Sequence, residues 1–346
     1  MYKLLAFLII AFTFMPVDCY SQRMVWNVYF DTQFDNREYN SSFSNSQTLF
    51  GAKLTSGIGL SWGKNSALLI GATMIEEFGA KTFEKKPEML LYYRYDSPVY
   101  AIFAGRFSRK ALIGKYSNAF FSDSVRFFDA NVDGMLLQYK GDGWYAELGF
   151  DWDSRQSKVR REKFMIFSSA LHKKGIAYGG YNFSMYHHAM VTNGSGVVDN
   201  VWVMPFAGID LGGRAFFDRL SLEVGWLQAF QNDRSNEEEY VKPGGVHIEA
   251  QIEKYKFGIL NTLFLGDCMM PYYERYGSEL YRGDSFYSTT NGGYNRLEVY
   301  WKPLRRGDID LKIASVHHYD GCVWSWQQLV SFTVNLNDMI FARKRK

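Results

Sequence analysis

Val246-His247-Ile248-Glu249-Ala250-Gln251-Ile252-Glu253 alternates apolar and polar side chains without a break. A β-strand turns successive side chains to opposite faces. Val246, Ile248, Ala250 and Ile252 therefore share one face, and His247, Glu249, Gln251 and Glu253 the other. The same reading holds at 144–152, where Trp144, Ala146, Leu148, Phe150 and Trp152 oppose Tyr145, Glu147, Gly149 and Asp151. At 327–337, Val330, Phe332, Val334 and Leu336 oppose Ser331, Thr333, Asn335 and Asn337. Near the start, Val28, Phe30, Thr32 and Phe34 oppose Asn27, Tyr29, Asp31, Gln33 and Asp35. The stretches 175–186 and 255–265 are mixed, and are read as strands from their position between turns. Phe, Tyr and Trp make up 18% of the chain and Pro only 7 residues, with Gly, Asn and Asp breaking it throughout. The chain reads as all-β.

Alternation alone fits a half-buried soluble sheet equally well. The connections separate the two readings. Short links at 63–65, 96–98, 141–142, 172–175, 214–219, 253–255 and 303–308 alternate with long polar ones near 37–46, 80–86, 108–130, 153–161, 188–199, 231–244 and 266–294. A sandwich has no reason to sort its loops by parity, whereas outer-membrane barrels join strands by tight periplasmic turns and longer outer loops. The expected fold is a transmembrane antiparallel β-barrel of about 16 strands, with 14 to 18 the range, and both termini periplasmic. In lipid an open sheet edge leaves backbone groups unpaired, so the first and last strands must pair. Trp26, Trp62, Tyr95, Trp144, Trp152, Trp226, Trp301 and Trp326 are then candidates for the aromatic girdles at the two interfaces.

The N-terminus reads as an export signal. Lys3 precedes an apolar run over 4–17, and Cys19-Tyr20-Ser21 offers a cleavage site before Gln22. Asp18 disfavours lipidation of Cys19, and the run falls short of the roughly 20 apolar residues that span a bilayer. Residues 22–346 are taken as one domain, with no internal repeat, low-complexity tract or linker. The net charge of +3, without a basic stripe, excludes a nucleic-acid partner. The partners expected are outer-membrane lipid and the machinery that assembles barrels.

In strand count, length and loop arrangement the chain resembles general porins, a likeness of architecture that includes no specific motif. The resemblance implies an aqueous lumen, passive passage of small polar solutes, and a loop after the fifth strand that folds inward to narrow the pore. The matching loop, 108–130, carries Arg109, Lys110, Lys115 and Arg126 among aromatic residues, without the acidic motif of classical porins. Arg106, Glu147, Asp151, His247, Glu249, Arg296, Glu298, Asp310 and Lys312 fall on the polar faces of their strands and are expected to line the lumen. Facing lipid near the midplane, a charge costs up to about 2–4 kcal/mol.

Two other functions remain open. Outer-membrane phospholipases use Ser, His and Asn on the outer wall, and His187 and His188 stand near Asn193 and Ser195, with Asn295 far along the chain. The His-x-Ser spacing of those enzymes is absent, and Asn193-Gly194-Ser195-Gly196 is turn chemistry in its own right. The expectation is a barrel without enzymatic activity. The histidine pairs 187/188 and 317/318 point to opposite faces of a strand, so neither chelates a metal well, and no cofactor is called for. A surface polysaccharide barrel is the other alternative: Tyr272, Tyr273, Tyr276 and Tyr281 either stack on oligosaccharide or seal the mouth. Cys268 and Cys322, the cysteines that remain after signal cleavage, are candidates for a disulfide between the last two outer loops. The last strand, ending near Phe341, is expected to direct assembly, with the basic tail 342–346 dispensable.

Overall fold

The computed structural model describes residues 22–192, 196–213 and 216–337. The expected signal segment over 1–21, Asn193, Ser195, Arg214, Phe341 and the basic tail lie outside the described residues. Sixteen strands close into one antiparallel barrel. They are β1 (Arg23–Glu38), β2 (Gln47–Trp62), β3 (Ser66–Glu77), β4 (Glu88–Asp96), β5 (Tyr100–Ser108), β6 (Asn131–Gly141), β7 (Trp144–Ser154) and β8 (Lys163–Lys174). The second half adds β9 (Ala177–Ala189), β10 (Val197–Asp210), β11 (Arg219–Asp233), β12 (Gly244–Lys254), β13 (Phe257–Gly266), β14 (Gly293–Arg306), β15 (Ile309–Tyr319) and β16 (Trp324–Asn337). Every strand pairs with its sequence neighbours, and β1 closes on β16 from Asn27 opposite Asn337 to Glu38 opposite Trp326.

The two ends differ. At one, turns such as 63–65, 142–143, 175–176 and 307–308 are short. At the other lie the long loops, led by 109–130 and 267–292. One of the two-residue hairpins, between β12 and β13, turns on Tyr255 and Lys256, both at positive φ (49° and 72°). This is the left-handed pair that a two-residue turn demands for strand twist, usually supplied by Asn-Gly.

The period-two reading sets the faces. Ile252, Val299, Leu148, Ile58 and Trp226 are exposed on the outside, while His247, Glu147, Asp151 and Arg296 are buried inside. Arg106 departs from its expected place. In β5 the buried positions are Ala101, Phe103 and Phe107, which puts Arg106 on the outer wall. There it is paired with Asp133, its register partner on β6. It sits two residues from the long-loop end of β5, where a long cationic side chain reaches the headgroup layer.

The lumen holds protein across its middle. Loops 109–130 and 267–292 fold inward, and Phe120, Phe121, Leu280, Tyr281, Phe286 and Tyr287 join one buried cluster with Phe167, Trp202, Met204, Leu227 and Phe264 of the wall. The aqueous lumen expected from strand count is displaced by these side chains, since burying so much aromatic surface is favourable at roughly 25 cal/mol per Å².

Candidate functional site

Most of the charged lumen residues predicted from the sequence are brought together, but as anchors for the inward loops. Glu147 is buried and accepts backbone N–H bonds from Ile113 and Gly114, each at 2.9 Å, and a bond from Gln138 at 3.0 Å. Gly114 fits there because an added Cβ would stand 2.8 Å from Ser169 Cβ and 2.7 Å from the Tyr116 ring. Arg109 pairs with Asp129 and Asp151, both at 2.8 Å. Lys110 reaches Asp31 at 2.7 Å across the lumen. Arg126 donates to the Tyr116 and Phe121 carbonyls within its own loop.

A second group of charges fixes the short helix Asp123–Phe128. Arg296 bridges Asp123 at 3.0 Å and Glu298 at 2.9 Å, and Lys312 pairs with Glu298. Burial pushes the Asp123 carboxyl up, but Arg296, Lys312 and Arg126 more than offset this and hold it below its ordinary value. His247 meets the Tyr287 hydroxyl at 3.1 Å. Asp310 and Lys312 lie on the inward face of β15, and Glu249 and Lys115 line a cavity near the short-turn end.

The mouth tyrosines are built in. Tyr272 and Tyr281 are buried, and Tyr281 donates to Gln231 at 2.6 Å. Cys268 and Cys322 line one cavity of about 490 Å³ at the mouth, yet both are free thiols. The Cys268 thiol donates to the Ser288 carbonyl at 3.1 Å, and Asp320 accepts from the Cys322 amide at 2.9 Å, so each is held in its own loop in place of the expected bridge.

The wall that faces lipid carries a different arrangement. Ser315 Oγ and His317 Nε2 are 3.1 Å apart. Positions two apart on a strand share a face, and Ala314, Val316 and His318 are the buried, inward residues of β15. Ser315 and His317 therefore look outward. His318 looks inward, 2.7 Å from the Tyr294 hydroxyl and 3.2 Å from Gln327.

More polar groups surround the pair on the same face. Asn261 and Asn295 exchange side-chain hydrogen bonds of 3.3 and 3.2 Å between β13 and β14. In register, Asn261 pairs with Leu297, and Leu297 with His317; Asn295 pairs with Tyr319, one step outward on the same face. On the other side Gln328 stands directly opposite Ser315, and Trp326 opposite His317. Ile259, Leu265, Val299, Trp301 and Ile313 supply the exposed apolar surroundings.

The depth of the pair follows from its neighbours. Trp324 and Trp326, 56% and 40% exposed, mark the aromatic girdle at the long-loop end, and His317 is level with Trp326. The serine and histidine thus sit where the acyl chains of the outer leaflet meet their headgroups. An ionisable residue facing lipid is a mark of function, since apolar side chains serve the wall better. With its Nε2 unprotonated, the imidazole accepts the Ser315 proton, the relation a nucleophile and its base require.

The order here, Ser315-Val316-His317, is the reverse of the His-x-Ser spacing expected of outer-membrane phospholipases. The signal was available: on a strand either order places both groups on one face.

A closed sixteen-strand antiparallel barrel, with a serine–histidine contact on its lipid-facing wall, defines the class of outer-membrane barrels. The fold is shared with OmpT, an outer membrane protein of Vibrio cholerae, at a TM-score of 0.53 and 8% identity, covering 91% of this chain and 98% of that one. Its loop L8 deletion mutant gives 0.54 at 9% identity, covering 91% and 99%. OprB of Pseudomonas putida gives 0.50 at 8% identity, covering 91% and 94%. No curated protein matches the chain in sequence. The chain belongs to the lipid A 3'-O-deacylase-type family, whose model matches residues 20–337. The expectation of a barrel without enzymatic activity is overturned by this membership, since the family takes its name from an enzyme.

Proposed function

We propose that this protein is an outer-membrane lipid hydrolase that removes an ester-linked acyl chain from an outer-leaflet lipid, lipid A being the substrate class its family points to. The observation that carries the reading is the 3.1 Å contact between Ser315 Oγ and His317 Nε2 on the lipid-facing wall. Ser315 Oγ attacks the acyl carbonyl while His317 takes its proton. The tetrahedral intermediate collapses, the C–O bond to the sugar breaks, and His317 returns the proton to the sugar oxygen. Water, activated by the same imidazole, then releases the fatty acid and restores Ser315. The Gln328 amide, directly across from Ser315, is placed to donate to the oxyanion. The Asn261–Asn295 amides offer polar contacts to the headgroup one and two strands away.

The inward-folded loops support a plugged barrel, a scaffold for a wall-mounted site, over one that passes solutes. The export signal expected over 1–21 would fit delivery to the outer membrane. The test is incubation of the purified protein with lipid A in mixed micelles, followed by mass spectrometry. Loss of one acyl chain with release of the free hydroxy fatty acid is expected. Intact lipid A, or undiminished cleavage by Ser315→Ala, would contradict the assignment.

A further inference from the structure

We infer a second site, separate from the lipid-facing pair: a cavity at the short-turn end of the lumen that takes a small organic cation by its ammonium group. The cavity is about 460 Å³. Lys115 and Tyr116 of the inward loop line it, with Asp210 at the end of β10 and Asp218 just before β11.

Glu223 on β11 and Glu249 on β12 line this cavity directly opposite each other. Like charges so opposed destabilise a sheet. Elsewhere in the lumen Asp31, Asp35, Asp151, Glu253 and Glu298 each hold a lysine or arginine. Among the described residues neither Glu223 nor Glu249 has an ion-pair partner. Within the folded chain Glu223 meets the Tyr178 hydroxyl, and Glu249 feels Arg296, Arg126 and Lys115 only at longer range, so neither carboxylate is neutralised by a direct cation.

Asn182 supplies an independent observation. It is 1% exposed, and its Nδ2 donates to the Lys115 carbonyl at 3.2 Å. Its Oδ1 is buried without a hydrogen-bond partner, and the residue lines the same cavity. A buried carbonyl left unmatched costs about 1–3 kcal/mol, so a donor from a ligand is the natural complement. Three acceptors thus converge on a space walled by Tyr178 and Phe206.

Acceptors with aromatic faces match an alkylammonium, whose N–H groups meet the oxygens and whose methylenes meet the rings. A hard divalent ion needs six or more oxygens, and aromatic walls offer it none. The rim charges are already engaged, Lys173 with Asp210 at 2.5 Å and Lys254 with Asp218 at 3.6 Å. Lys115, Lys173 and Arg219 are the protein's own cations on the lining; Lys173 is held by Asp210, and Lys115, on the inward loop, is the group a ligand must displace or tolerate.

The test is calorimetric titration of the folded protein in detergent with putrescine at neutral pH. Saturable binding is expected, weakened at least about tenfold by Glu223→Gln or Glu249→Gln and unchanged by Ser315→Ala. Removing one of two opposed carboxylates relieves repulsion, and heat-modifiable gel migration verifies that each variant is folded. Absence of saturable binding, equal binding by the glutamine variants, or stronger binding of Mg²⁺ than of putrescine would overturn the inference. So would binding that emerges only in Lys115→Met, because Lys115 would then be the natural occupant.

Discussion

At the scale of single residues, Ser315 and Glu147 show how much one position decides on a barrel wall. Ser315 faces lipid and has His317 as partner; Glu147 faces inward and is covered by Ile113 and Gly114. Ser315→Ala removes one oxygen from an outward position, so folding is expected to survive while ester hydrolysis falls by about a thousandfold or more. His317→Asn is expected to fall similarly, and the double variant no further, since the two act as a unit. Additive losses, measured as fatty-acid release, would deny that they form one catalytic pair. Period two made the polar inner faces legible, including those of His247, Glu249, Glu298 and Lys312. It failed at Arg106, where the strand's inward residues are apolar and the charge, near the rim, is tolerated outside with Asp133. Ser315-x-His317 was legible too, but only with the order of the two groups left open.

The elements divide between those governed by local pattern and those governed by what they meet. β1, β7, β12 and β16 alternate cleanly and announce themselves. β9 and β13 do not, because lumen packing replaces polar residues with Gly and Phe, as where Gly180 and Gly258 sit against the rings of Phe206 and Tyr300. Loop 109–130 carries no periodic signal, and its inward course depends on Glu147, Asp31 and Arg296, distant in sequence. Glu147→Ala leaves two backbone N–H groups unmatched inside the barrel, at about 1–3 kcal/mol each. The expected outcome is protease cleavage within 109–130 while the strands stay resistant; unchanged resistance would mean that Glu147 does not hold the loop.

The same loop responds to acid. Asp123 has its carboxyl held below the ordinary value of 3.8, so its contribution is present above that value and is lost as pH falls through the folded one. Release of the loop, read as protease access or channel conductance, is therefore expected only below about pH 4. Release already near neutrality would assign the anchor to other groups.

For the whole molecule, closure of β1 on β16 leaves no free sheet edge, and the aromatic girdles fix how the cylinder sits in a bilayer. The protein is expected to run faster unheated than heated on gels and to fractionate with the outer membrane. Recovery as a soluble, detergent-free monomer would contradict the barrel in a membrane. Strand number, closure and the sorting of loops by length were all legible in the sequence, because lipid allows few solutions. The filled lumen was not: strand count predicts a width, and only the three-dimensional meeting of Phe120, Tyr281 and Phe286 with the wall shows what occupies it. On the proposed reading, a barrel so filled directs its chemistry to the outside.

That claim is tested most directly by covalent trapping at the wall. A lipophilic sulfonyl fluoride, presented to the folded protein in outer-leaflet-like vesicles, loses fluoride to an activated serine and marks it. The expected result is one sulfonylated peptide with the modification at Ser315, matched by loss of hydrolysis and abolished by His317→Asn. An unmodified Ser315 in a protein that is still inactivated, or a modified serine inside the lumen, would contradict a catalytic pair on the lipid-facing wall.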